Sequence, residues 1–133
     1  MRLEQAERVT SDQYAAARSS REEIAEELDR AFERVDLLLA PISSVGPAAR
    51  TDGPGDGSFR RAVMSCTAPQ SLAGIPACAL RAGFDENGIP VGIQVVGPRG
   101  ADLSVLATAH ALFTATRATQ DRWPPAGLAS IDG

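Results

Sequence analysis

The chain has 133 residues, 44% of them apolar, and a formal net charge of −4. That length allows one domain or part of a larger one, with enough apolar residues for a modest core. The mild acidity leaves no basic footprint for nucleic acid, and no run of about 18 apolar residues exists to span a membrane. The charged start, Met1-Arg2-Leu3-Glu4-Gln5-Ala6-Glu7-Arg8, has no apolar signal core, so a cytoplasmic location is expected.

A helix is predicted over residues 11 to 34. Thr10 or Ser11 can cap it, because a hydroxyl there accepts from an otherwise orphan backbone N–H. Ile24, Leu28, Ala31, Phe32 and Val35 recur at three- and four-residue spacings and form one apolar stripe. Glu22, Glu23, Glu26, Glu27, Arg30 and Arg34 make a solvated face, with Glu26 and Arg30 spaced to attract. Ser19-Ser20 is a weak point at which the helix could bend.

Asp36-Leu37-Leu38-Leu39-Ala40 then reads as a short buried strand ended by Pro41. Residues 42 to 58 are a long loop rich in Gly, Pro, Ser and Asp. Phe59 to Ala68 is read as a short helix with Phe59, Val63 and Cys66 on one side, stopped by Pro69. Next comes a doubled signal. Gly74-Ile75-Pro76 precedes Ala77-Cys78-Ala79-Leu80, and fourteen residues on Gly88-Ile89-Pro90 precedes Val91-Gly92-Ile93-Gln94-Val95-Val96. Asp85, Glu86, Asn87 and Gly88 supply a turn, so the two runs form a hairpin. The face bearing Gly92 is expected to be approached closely by another element. Pro98-Arg99-Gly100 turns the chain, and Asp102 can cap a last helix to about Arg117. Leu103, Leu106, His110 and Phe113 form its apolar stripe, with Val105, Ala109 and Leu112 beside it. The tail from Trp123-Pro124-Pro125 is read as irregular.

Candidate chemistry is sparse. All thirteen basic residues are arginine, so no lysine base exists in this chain. His110, the lone histidine, sits among leucines and is read as a core residue rather than a catalytic partner of Cys66 or Cys78. The two cysteines read as buried thiols in a reducing compartment, with a disulfide between them left open. One histidine and two scattered cysteines have no recognised metal spacing, and no metal or cofactor is expected. Ser43 and Ser44 follow a buried strand in a loop, a place that often lines a site, and are the substrate-pocket candidates. No Gly-x-Ser-x-Gly elbow accompanies them.

Three blocks of the sequence resemble the C-terminal region of the amidase signature family. They are Ala68-Pro69-Gln70-Ser71-Leu72-Ala73-Gly74-Ile75-Pro76-Ala77, Gly88-Ile89-Pro90-Val91-Gly92-Ile93-Gln94-Val95-Val96-Gly97 and Asp102-Leu103-Ser104-Val105-Leu106. The order of a helix, Asp36-Leu37-Leu38-Leu39-Ala40-Pro41 and a loop agrees with it, so the resemblance covers roughly residues 14 to 125. Ser71 departs from the family's usual asparagine.

The resemblance implies an α/β/α fold around a mixed sheet, of which this chain supplies the last strands and flanking helices. Residues 1–133 would be the C-terminal portion of an amidase domain. Residues 1–13 and 124–133 would be peripheral, and 42–58 a loop. It also implies amide hydrolysis by a serine nucleophile, a second serine in a cis peptide and a lysine base. None of these maps onto this chain, which is therefore expected to be inactive alone. Two origins fit: a segment cut from a longer enzyme, or a non-catalytic subunit completing a split one. The implied partners are a small-molecule amide in the complete enzyme and an N-terminal amidase half or further copies of the chain. An independent cysteine–histidine hydrolase is the remaining alternative.

Overall fold

The computed structural model describes residues 8–46, 57–86 and 88–116. Asn87, the start, most of the long loop and the tail from Arg117 lie outside the described residues, so the readings made of them rest on sequence alone.

Helix α1 spans Ser11–Phe32. Its start is a capping box: Thr10 Oγ1 accepts from the Gln13 N–H at 3.2 Å, and Gln13 Oε1 accepts from the Thr10 N–H at 3.0 Å. The helix runs unbroken through Ser19-Ser20, and Arg30 lies 3.9 Å from Glu26 as the spacing predicts. It ends two residues sooner than expected, which leaves Val35 beyond the helix and exposed.

Strand β1 is Leu38–Pro41, and Pro41 is its last residue rather than the residue that stops it. Two short helices follow the long loop, α2 at Ser58–Met64 and α3 at Ala68–Ala73. This corrects the reading of one helix stopped by Pro69. Proline lacks an N–H, but the first turn of a helix leaves its N–H groups unused, so Pro69 opens α3 instead. Gly74 closes α3 at φ 67°, a left-handed C-cap that disfavours any side chain.

Strands β2 (Ala77–Phe84) and β3 (Pro90–Val96) form the expected hairpin, and β2 runs four residues further than its apolar core suggested. A bulge between Arg81 and Gly83 lets the longer strand stay paired. The sheet order is β1-β3-β2, antiparallel at both junctions. The fold of the described residues is therefore α/β, a small antiparallel sheet flanked by helices.

Alternation along β3 divides the core in two. Val96 meets Ala73 and Ile75, with Ala25, Leu28, Phe32 and Leu38 packed around them, so α1 and α3 cover this face. Val95 meets Val105 and Ala109 on the other face, with Leu37, Cys78, Leu80 and Leu112 around them. There the covering element is α4, Asp102–Ala115.

The orientation of α4 differs from the sequence reading. Leu103, Leu106 and Phe113 are exposed, Leu103 at 83%, and His110 is exposed with them. The helix is apolar around most of its circumference, so periodicity alone does not select a face. The smaller Val105 and Ala109 are selected because they let the helix approach the sheet closely. A Cβ on Gly97 would stand 2.6 Å from Val105 Cγ2. Asp102 sits in the first turn and forms no side-chain cap; Ala101 is the N-cap residue.

Candidate functional site

The loop leaving β1 is held by three elements. Ile42 continues the β1 ladder, donating from its backbone N–H to Gly92 O at 3.4 Å. Its side chain lies over Gly92, where an added Cβ would stand 2.8 Å from Ile42 Cγ1. The close approach expected at this glycine is thus made by the loop's first residue.

Ser43 turns inward on its own segment. Its Oγ donates to Val45 O at 2.7 Å and accepts from the Val45 N–H at 3.2 Å, a local turn that holds the loop's shape. Ser44 bridges to the end of α2. Its Oγ donates to Ala62 O at 2.8 Å and accepts from Ser65 Oγ at 3.1 Å. Ser65 Oγ also lies 2.7 Å from Ala62 O and 3.8 Å from Cys66 Sγ. The two pocket candidates therefore have different settings: Ser43 is half-buried and locally bonded, and Ser44 is exposed beside Ser65 and Cys66.

Beneath this cluster lies Gln94, 3% exposed in the middle of β3. Its amide nitrogen donates to Cys66 O at 2.6 Å and to Pro41 O at 2.9 Å. One side chain so ties the end of β1 and the α2–α3 junction to the central strand. A lone amide within a Val/Ile-rich strand is the sequence signal that marks it, since a buried amide requires partners. Ser71 Oγ donates to the carbonyl of Thr67, the N-cap residue of α3, at 3.2 Å.

The remaining candidates are kept apart. Cys66 lies on the Gln94 side of the sheet, whereas Cys78 packs under α4 with Val95. Both thiols are free and half-buried rather than fully buried. His110 points away from the sheet on the exposed flank of α4, so it is not the core residue its neighbours suggested. Among the described residues no group of three metal-ligating side chains comes together. No described helix is long and apolar enough to cross a membrane. The geometry thus holds a loop in place and offers hydroxyls and a thiol at its base, with no base positioned to activate them among the described residues.

Comparison with known proteins gives a consistent picture. A family model described as Amidase matches residues 1–106. A glutamyl-tRNA(Gln) amidotransferase subunit of Dehalococcoides mccartyi is 35% identical over 103 residues, which is 77% of this chain and 21% of that protein. The crystal structure of the corresponding Thermotoga maritima protein matches with a TM-score of 0.62 at 32% identity, covering 69% of this chain and 20% of that one. A bacterial aryl acylamidase of the amidase signature enzymes matches with a TM-score of 0.70 at 26% identity, covering 85% of this chain and 25% of that one. The chain spans about a fifth of the length of the curated relatives it matches.

Proposed function

The chain belongs to the amidase signature family, and from that premise we propose that it is the C-terminal structural segment of an amidase-type hydrolase of carbon–nitrogen bonds. It buttresses the sheet and holds the loop after β1 against the substrate pocket, and the reacting groups come from elsewhere. The observation that supports this reading is the Gln94 bridge to Pro41 and Cys66, a side-chain amide that ties the loop after β1 to the central strand. The absence of lysine agrees with it, since the family's serine chemistry is expected to need a lysine base.

Within this reading Ser44 lines the pocket from its exposed position, and Ser43 sets the loop's shape. The substrate is a small-molecule amide, and the two free thiols suit a reducing, cytoplasmic setting. The rest of the fold is supplied either by the same polypeptide or by a separate N-terminal half. The Dehalococcoides mccartyi relative carries the matched segment within one longer polypeptide, of which it makes up 21%, and this favours the first arrangement.

Complementation tests the proposal. The Thermotoga maritima protein with its matched fifth deleted is mixed with this chain, and hydrolysis of glutamine and of an aryl amide is followed. Amide hydrolysis by the mixture and by neither component is the expected result. A mixture as inactive as its parts counts against the proposal.

A further inference from the structure

The outward sides of the two long helices are unlike. Along α1 the exposed side carries Glu22, Glu23, Glu26 and Arg30, the pattern of a face solvated by water. Along α4 the only charged residue is Asp102, its first. Val105 and Ala109 pack on Val95 of the sheet, and the opposite side presents Leu103, Leu106, His110 and Phe113. Leu106 is 56% exposed and Phe113 45%. A helix that is apolar on both sides is suited to being covered on both.

The spacing says what kind of element fits. Leu103, Leu106, His110 and Phe113 are three, four and three residues apart, the repeat with which one helix packs against another. We propose that this face pairs with the same face of a second copy of the chain, the two α4 helices running antiparallel about a two-fold axis level with Thr108. Leu103 then faces the partner's Phe113, and Leu106 faces the partner's His110. Each contact is made twice, as a two-fold interface requires. A parallel pair would set the two His110 rings against each other and align the helix dipoles. The antiparallel pair gives each imidazole a leucine and opposes the dipoles.

Charge agrees with a second copy as the occupant. The antiparallel arrangement sets the end that begins with Asp102 beside the end after which the sequence continues with Arg117. The area sets the strength. Two helices of this length bury about 400 Å² per partner, against about 800 Å² in a standard interface. The dimer is therefore weak, with a Kd on the order of 10–100 μM. It needs no active enzyme, so it stands apart from the functional reading above.

Sedimentation equilibrium of the full chain, from about 1 to about 500 μM, tests the proposal. Monomer is expected at the low end and mostly dimer at the high end. Leu103→Glu and Leu106→Glu should each weaken the dimer about tenfold or more while keeping the parent's circular dichroism, because both side chains are already exposed. Leu39→Glu, exposed on β1, should leave the dimer unchanged. Direction is read by mixing chains that carry Leu106→Glu with chains that carry His110→Arg. The antiparallel pair sets the new carboxylate against the new guanidinium, so the mixture should dimerise about tenfold more tightly than either variant alone. A chain that stays monomeric throughout overturns the proposal, as does a dimer indifferent to both α4 glutamates. A mixture no tighter than its parts overturns the antiparallel pairing. The Thermotoga maritima protein lacking its matched fifth is also added to the dimer. If it dissociates the dimer and binds the parent but not Leu103→Glu, the occupant is the rest of an amidase fold and the proposal fails.

Discussion

The side-chain amide of Gln94 donates to the backbone carbonyl of Cys66 at 2.6 Å, across twenty-eight residues of sequence. The same nitrogen holds Pro41 O, so two loop anchors depend on one buried group. Removing it leaves two acceptors without their donor. Gln94→Leu is expected to lower stability by about 2 kcal/mol, measured by urea denaturation. Gln94→Glu should be worse at neutral pH, where a carboxylate faces two carbonyl oxygens and donates nothing. Protonation restores a donor, so the folded-state pKa of that carboxyl is raised above its unfolded value of about 4.3. The variant's deficit relative to the parent should therefore be smallest below that pH and grow as pH rises toward the raised folded value. A deficit independent of pH would contradict this account of the site.

Two glycines of the sheet should respond differently to alanine. At Gly92 the added methyl crowds only Ile42, the end of a flexible side chain. At Gly97 it would be 2.6 Å from Val105 Cγ2, 3.0 Å from Leu37 Cδ2 and 3.2 Å from Ala101 Cβ. Gly97→Ala is expected to cost about 2 kcal/mol by overpacking, more than Gly92→Ala. Ile42→Ala should relieve most of the Gly92→Ala penalty in the double variant, which thermal unfolding can measure.

The facing of α4 reverses the usual size order of alanine substitutions. Val105 is 2% exposed and Leu103 is 83% exposed. Val105→Ala should cost about 2 kcal/mol and Leu103→Ala nearly nothing, although leucine loses the larger side chain. Equal losses at the two positions, measured by denaturant midpoints, would mean that the helix presents its other face to the sheet.

Thr10 holds the start of α1 through its reciprocal bonds with Gln13. Thr10→Ala should cost about 1 kcal/mol and show as faster amide exchange in the first turn. Thr10→Asp should restore most of the loss, since a carboxylate accepts the same N–H and suits the helix N-terminus.

Much of this architecture is legible in the sequence because local rules act alone there. The hairpin is set by the turn between Asp85 and Gly88, the α1 cap by Thr10, and the close approach at Gly92 by a glycine where a side chain is expected. Elsewhere tertiary fit overrides local signals. Pro69 can stop one helix or start another, and the sequence does not distinguish the two. On α4 nearly every face is apolar, so the choice of Val105 over Leu106 depends on how closely Gly97 lets the helix approach. The base of the candidate site is the least legible part. Ser44 reaches Ser65, and Gln94 reaches Pro41 and Cys66, across long stretches of sequence that the pairing of β1 with β3 brings together.

Whether this chain supplies framework and no catalytic group is tested most directly by steady-state hydrolysis of an aryl amide by the purified chain alone. No rate above buffer is predicted, with the same result for Ser44→Ala, Cys66→Ala and His110→Ala. Turnover by the chain alone that any one of those substitutions abolishes would contradict the framework role.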